Sequence, residues 1–538
     1  MKTKIYFTII IISLFLTYSC DKGYEEMNHD PHGFTTASDA SLFNNIVSSL
    51  RLGWNEQFYI NNEILYKQTQ LAALTKEAWG NYSIGTEEIW ANYYLKLPLF
   101  HDLETKFESM GDTSKAVNNM KAMLKIVFAY KTFKVTDLFG AMPLFDAGWG
   151  FEDLAYVRPK YDSQEVIYKF LLNELKWAAE NIDITATYEP FATFSTFDNL
   201  LFGDISKWQK FANSLRLRYA MRMYNKEPEL AGEIIKEIIE GDLPVLTGYN
   251  LTSPVLENVA IWPYSVGWKN TGVVWSFREH TALRMGSNIW NQMSLNDSSD
   301  GSGIFDLRAY LFFDTDNENK WKAYPQISNL NTPPSGGTPY GSQRNTNFNT
   351  KGPDCIYSPF NFYLIGDEDF IPEILMTGAE VHFIKSEAYF RGIGIAQDET
   401  EASNQYMSGV MASYDFWKEV LQDSKLPISG ASFSDNITLP TNLNVSTLIN
   451  HVGFWSVTTE EEKLKLIYSQ RSIDNFRQVW EAFSVARRTM LTQREGADLD
   501  FFRLPYPPSE QEYNTVNWTE QVGKMGGDNS NVKVWWMQ

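Results

Sequence analysis

The feature that most constrains the fold of this chain is a helical hydrophobic period recurring along both its halves and lost in the middle. Lys121 to Lys134 places Met123, Ile126, Val127, Tyr130 and Phe133 along one face, the spacing of an amphipathic helix. Asp162-Ser163-Gln164-Glu165 reads as a capping box before Val166, Ile167, Phe170, Leu171, Leu175 and Ala178. Asp204 is placed to cap a helix carrying Trp208, Phe211, Ala212, Leu215 and Tyr219. Pro228 and Gly241 bracket a shorter one with Ile234, Ile235, Ile238 and Ile239 inward. From Asp242 to about Pro372 the period fades, and Pro, Gly, Asn, Ser and Trp crowd together. It returns over Glu373–Arg391, ended by Gly392, and over Gln405–Leu421. Pro427–Ser456 is looser. Thr459-Glu460-Glu461-Glu462 is a second capping box, and helix runs through Ile467 to about Met490 with a break near Asp474-Asn475. Phe501–Gln538 reads as irregular. The expectation is an all-α scaffold of helix pairs bearing one large loop-rich insertion at about 242–372. A 34-residue repeat signature is not evident.

The N-terminus assigns a compartment. Lys2 and Lys4 precede an apolar run from Tyr6 to Leu16, and Thr17-Tyr18-Ser19-Cys20 closes it, the layout of a secretory signal. The run is too short for a transmembrane helix. Residues 1–19 are therefore expected to be removed and Cys20 to be lipidated, although Thr17 stands where a lipobox carries Leu. The polar stretch 20–39 reads as a tether, and 40–538 as one helical domain. With Cys20 acylated, Cys355 is the only other cysteine, so no disulfide framework is available and stability rests on a large core. A net charge of −20 argues against nucleic acid, which needs a positive footprint.

Residues for chemistry are sparse. The six histidines show no zinc spacing, and His382 falls among apolar residues as a packed side chain. No nucleophile elbow, Walker loop or cofactor fingerprint is present. Asp314-Thr315-Asp316-Asn317-Glu318 has only a faint likeness to a calcium loop, since Asn319 and Pro325 occupy its glycine and glutamate positions. A solvated acidic turn fits better. The expectation is a binding protein and no enzyme.

Aromatic rings suit binding. Trp262, Tyr264, Trp268, Trp275, Trp290, Trp321, Tyr324 and Tyr340 lie in the period-free stretch among Asn, Gln, Arg and Asp. A displayed ring can stack on a sugar while neighbouring amides and charges hydrogen-bond its hydroxyls. Trp90, Tyr93 and Tyr94 have helical spacing and read as core, whereas Trp79 and Tyr82 flank a loop-like Gly80-Asn81. For each ring taken alone, burial in the core is the better reading; the site is expected from two or three of them together. The expected ligand site draws on Trp79, Tyr82, Trp268, Trp275, Trp290, Trp321 and Tyr340.

Several strings resemble one family. They are Tyr24 to Pro31, Thr136-Asp137-Leu138-Phe139-Gly140 with Met142-Pro143-Leu144, Pro159 to Glu165, and Gly203-Asp204-Ile205-Ser206-Lys207-Trp208 running to Arg218. Arg487-Arg488-Thr489, Arg503-Leu504-Pro505-Tyr506-Pro507 and Val534-Trp535-Trp536 complete the set. In order and number they resemble the SusD/RagB outer-membrane lipoproteins, second SusD-like branch, with Ala141 and Leu144 replacing a common Asp and Tyr. The resemblance implies TPR-like helix pairs and a lipid anchor on the outward face of the outer membrane. It further implies a SusC-like TonB-dependent barrel as partner, to which a captured nutrient is delivered. These are scaffold motifs and carry over no ligand-contacting residue. A glycan is the expected ligand; a peptide, a surface hydrolase and a structural adaptor are the alternatives.

Overall fold

The computed structural model describes residues 38–111, 114–150, 152–248, 257–334 and 338–538. The expected signal segment, Cys20 and nearly all of the tether lie outside these residues. Helices of nine residues or more are numbered here. The first half contains α1 (Asp39–Ser48), α2 (Tyr82–Tyr94), α3 (Leu97–Ser109), α4 (Lys115–Phe139), α5 (Gln164–Asn181), α6 (Ile205–Met223) and α7 (Pro228–Glu240). After α8 (Thr271–Glu279) come α9 (Gly378–Arg391), α10 (Glu399–Gln422), α11 (Glu460–Asp474), α12 (Val479–Thr489) and α13 (Thr515–Met525).

Local chemistry sets most of the boundaries. Asp204 accepts the Lys207 N–H at 3.0 Å and caps α6, and the Thr459–Glu462 box closes reciprocally on α11. The expected box at Asp162 is displaced by one residue. Ser163 caps α5 by accepting the Val166 N–H at 3.3 Å, because the Asp162 carboxylate is already held by the amides of Leu144 and Phe145. Helix also begins later than Glu373. Glu373–Met376 forms strand β4, antiparallel to β2 (Val259–Ile261), and Thr377 caps α9 through the Glu380 N–H at 3.1 Å. A second two-stranded ribbon pairs β1 (Ala73–Leu74) with β3 (Leu283–Arg284). The tail is more ordered than expected, since Pro508–Tyr513 and α13 are helical.

The helices pair antiparallel. The Gln164 side chain at the start of α5 donates to Thr136 O at the end of α4 (2.6 Å), while Asn119 near the start of α4 reaches Asp183 just beyond α5 (2.9 Å). Gln209 on α6 meets Ala179 O on α5, and Arg216 meets Glu237 on α7. In the second half Ser386 on α9 bonds Ala402 O on α10. There Gly409 lets the helices close, because a Cβ would fall 2.8 Å from the Phe383 ring. The 242–372 segment is threaded into the same core through Ile289, Trp290, Phe312, Phe360 and Phe362, all buried.

A buried ionic network locks the two halves together. Glu380 on α9 accepts from Arg218 on α6 (2.5 and 2.9 Å) and from Arg471 on α11 (2.7 Å). Glu481 on α12 accepts from Arg471 at 3.0 Å and also from Arg222 on α6. Arg222 in turn reaches Asp137 on α4. Burial alone would raise the Glu481 carboxyl; Arg222, Arg218 and Arg471 overcome it and hold it at about 2. Glu387, buried beside Arg488 and Arg391, is likewise held at about 2. Both lie below the ordinary 4.5, so their stabilisation is complete above that value and is lost as pH falls towards 2. The melting temperature should therefore drop between about pH 4.5 and pH 3 in a thermal scan. Glu481→Gln should cost about 3–5 kcal/mol in urea denaturation, since it strands buried guanidinium groups.

Candidate ligand-binding site: an aromatic platform

Between α1 and α2 the chain forms a π-helix, Glu56–Leu65. Helices of this kind are rare and recur at functional sites, because their wider turn misaligns side chains from the normal ladder. Here the misalignment is held by buried polar side chains. Gln57 donates to Asn62 Oδ1 (2.8 Å) and Asn61 to Gln57 Oε1 (3.2 Å), while Asn62 donates across to Ser276 O on α8 (3.3 Å). Lys134 on α4 pairs with Glu56 at 2.6 Å, and the Glu88 carboxylate accepts the Glu56 N–H at 2.6 Å.

Aromatic side chains radiate from this helix and from α8. Trp54 stacks on Phe58 with ring centres 4.8 Å apart, and Tyr59 meets both rings edge-on. Phe58 touches Trp79 (6.1 Å) and His280 (5.1 Å). Glu63 anchors the Trp79 loop by accepting its backbone N–H on both carboxylate oxygens at 3.1 Å, and lies 3.7 Å from His280. Burial pushes the His280 ring down, against the hydrogen bond and charge of Glu63. On the other flank Gly272, in the first turn of α8, packs against Trp54, where a Cβ would meet the Trp54 backbone at an ordinary contact distance of 3.6 Å. Arg51 lies over Trp268 at 4.2 Å and Arg278 over Trp275 at 4.5 Å, cation–π contacts that each cover one ring face.

Trp79 is 59% exposed, Tyr82 42% and Trp275 42%, and Trp268 is half-buried. Gly80, at φ +76, turns the chain between Trp79 and Tyr82. Tyr264 is also exposed and stacks on Phe370, which in turn meets Trp262. Three expected site residues are elsewhere. Trp290 and Trp321 are stacked on each other at 5.7 Å and buried, with Tyr310 edge-on to Trp321. Tyr340 is buried against Phe362, and Tyr324 is buried against Tyr357. They fill the interior of the 242–372 segment, which needs large rings because its short helices and strands present no long apolar faces. Trp54, Tyr59, Arg51 and Arg278 were not predicted. Trp54 and Phe58 stand four residues apart, a spacing indistinguishable from that of an ordinary core-facing helix.

The acidic turn at Asp314 has internal partners: Asp314 pairs with Lys351 at 2.5 Å, and Asp316 accepts the Glu318 and Lys320 amides at 2.9 Å. His382 is buried against Gln405 at 2.7 Å. Burial raises the Cys355 thiol to about 11, which suppresses the thiolate.

A family described as starch-binding and associating with the outer membrane matches residues 31–496. The chain belongs to this SusD-like family. Solved structures agree on the fold. A SusD homologue from Bacteroides vulgatus is 20% identical with a TM-score of 0.66, the match covering 93% of this chain and 97% of that one. A structure named as a chitin-binding protein is 22% identical, TM-score 0.66, covering 92% and 98%. A chitin-binding SusD homologue from Flavobacterium johnsoniae is 20% identical, TM-score 0.63, covering 92% and 97%. At these identities the likeness establishes the helical SusD-like architecture. No curated protein matches the chain. No helix among the described residues of this SusD-like chain is long and apolar enough to cross a membrane.

The platform depends on the π-helix network. Asn62→Ala should lower the urea midpoint by the equivalent of about 1–3 kcal/mol, because its buried partners lose their bonds. Native Cys355 should resist alkylation until the protein unfolds, measured by mass shift with iodoacetamide.

Proposed function

We propose that this protein is an outward-facing outer-membrane lipoprotein that captures an oligosaccharide on the Trp79–Trp275 platform. It then delivers the ligand to a SusC-like TonB-dependent barrel. The observation that carries the capture step is the display of Trp79, Tyr82 and Trp275 as exposed rings on a rigidly bonded base. Exposing such large apolar groups is unfavourable unless a partner covers them. Flat rings with one free face match the apolar face of a pyranose. The starch-binding description of the family, and the chitin-binding names of two solved structures with the same fold, support the same ligand class. Transport follows from the resemblance in the scaffold motifs, with Cys20 as the lipid anchor and the polar 20–39 segment as tether. Binding and handover suffice for this role, and the platform is read as a site of capture without bond chemistry.

The test is calorimetric titration of the full chain in non-ionic detergent with panels of oligosaccharides and oligopeptides. Trp79→Ala and Trp275→Ala should each weaken saccharide binding by about 1–2 kcal/mol while the melting temperature stays near that of the wild type. Trp290→Ala should do the reverse, costing about 3–5 kcal/mol of stability as a core truncation. Peptide binding with no saccharide response would replace the ligand class.

A further inference from the structure

The Trp275 end of the platform differs from the Trp79 end in its charge. Arg278 stands one turn beyond Trp275 on α8, over its ring. Its guanidinium donates to Asn345 Oδ1 at 3.3 Å, and its Nε is buried with no hydrogen-bond partner. Arg344, on the same turn as Asn345, is half-buried. Burial lowers the Arg278 guanidinium pKa, and the nearby Arg344 charge lowers it further. Glu368 and Glu279 oppose this from beyond ion-pair distance, Glu368 being paired with Lys269 at 3.2 Å. Among the described residues neither Arg278 nor Arg344 has an ion pair, and Arg51 beside Trp268 has none either. The turn that carries Arg344 is fastened from behind, where Asn345 O accepts the Ile428 N–H at 3.0 Å. The Arg278–Asn345 bond thus brings Arg344 into the neighbourhood of a second guanidinium, with no counter-ion on either among the described residues, in a chain whose net charge is −20.

We infer that Arg278 and Arg344, beside Trp275, form a subsite for an anionic sugar unit, so that the captured glycan carries carboxylate or sulfate groups. A planar guanidinium presents a fork of donors matched to either oxyanion, and such charge-assisted bonds are stronger than neutral ones. Trp275 would take the apolar face of the same or the adjoining ring. An anion would neutralise the like-charge pair and supply an acceptor beside it. Asn345 holds the Arg278 fork, so part of the ordering cost is met before the ligand arrives. The inference rests on the reading of the platform as a glycan site.

The experiment compares neutral, uronate-containing and sulfated oligosaccharides of matched length by calorimetry on the full chain in non-ionic detergent, at low and physiological salt. An anionic series should bind roughly tenfold or more tighter than the neutral one, the advantage shrinking as salt rises. Which of the two anionic series leads identifies the carboxylate or the sulfate as the natural group. Arg344→Gln, on a surface turn, and Arg278→Gln should each bring the anionic-to-neutral affinity ratio close to one. Equal affinity for neutral and anionic saccharides, or a ratio unmoved in both variants, would overturn the subsite and leave glycan capture standing. Failure of every saccharide to bind would overturn both, as would acidic peptides binding in their place.

Discussion

Glu380 and Glu481 sit fully buried among Arg218, Arg222 and Arg471, and that cluster is where α6, α9, α11 and α12 are brought into one register. Asp137 extends it to α4, where its carboxylate also accepts from Tyr168 and, at 2.9 Å, from the Trp536 indole. Taking so many ions out of water is costly, and the cost is offset only when each meets its partners at short range. Apolar helix faces tolerate sliding and rotation far better than such a network does. Helices that would stack adequately in several registers are thereby confined to one. The N-terminal and C-terminal helix pairs, separated in sequence by the insertion, become a single body through these bonds.

That body is what allows the platform to be open. Trp54 is held by its ring contacts with Phe58 and Tyr59, whereas the segments carrying the exposed Trp79 and Trp275 are tied to the scaffold by polar bonds: Glu63 to the Trp79 amide and Asn62 to Ser276, with Lys134 to Glu56 fastening the π-helix between them. A displayed ring is useful for recognition only if it does not collapse onto its neighbours, and a site held by buried hydrogen bonds keeps its geometry without a ligand. In the π-helix the Phe58 and Tyr59 rings meet edge-on with centres 4.9 Å apart.

The insertion shows where sequence reading loses its footing. Trp268, Trp275, Trp290 and Trp321 all lie in aperiodic, Asn- and Gly-rich surroundings, and nothing local distinguishes them. Trp275 is exposed because its helix lies on the π-helix through Ser276 and turns its other side outward. Trp290 and Trp321 are hidden because two distant segments bring their faces together. An irregular segment of this length cannot all be surface: its backbone must be covered, and large rings are the means. Arg51 and Arg278 were likewise invisible, since a cation's role depends on which ring it lies over and whether a carboxylate is near.

Most of the long helices and their caps, the helix-pair architecture and the family were legible in the chain itself, because they depend on period, capping chemistry and short strings of neighbours; α8 and α13 were not. Asp204, Thr459, Pro228 and Gly392 act through residues only a few positions away, and their effect follows from local geometry. Which tryptophans face solvent, which arginines lack a counter-ion, and how Glu481 comes to sit among three guanidinium groups were decided by tertiary structure alone. Those properties belong to pairs of residues up to hundreds of positions apart, and burial and electrostatics act through space.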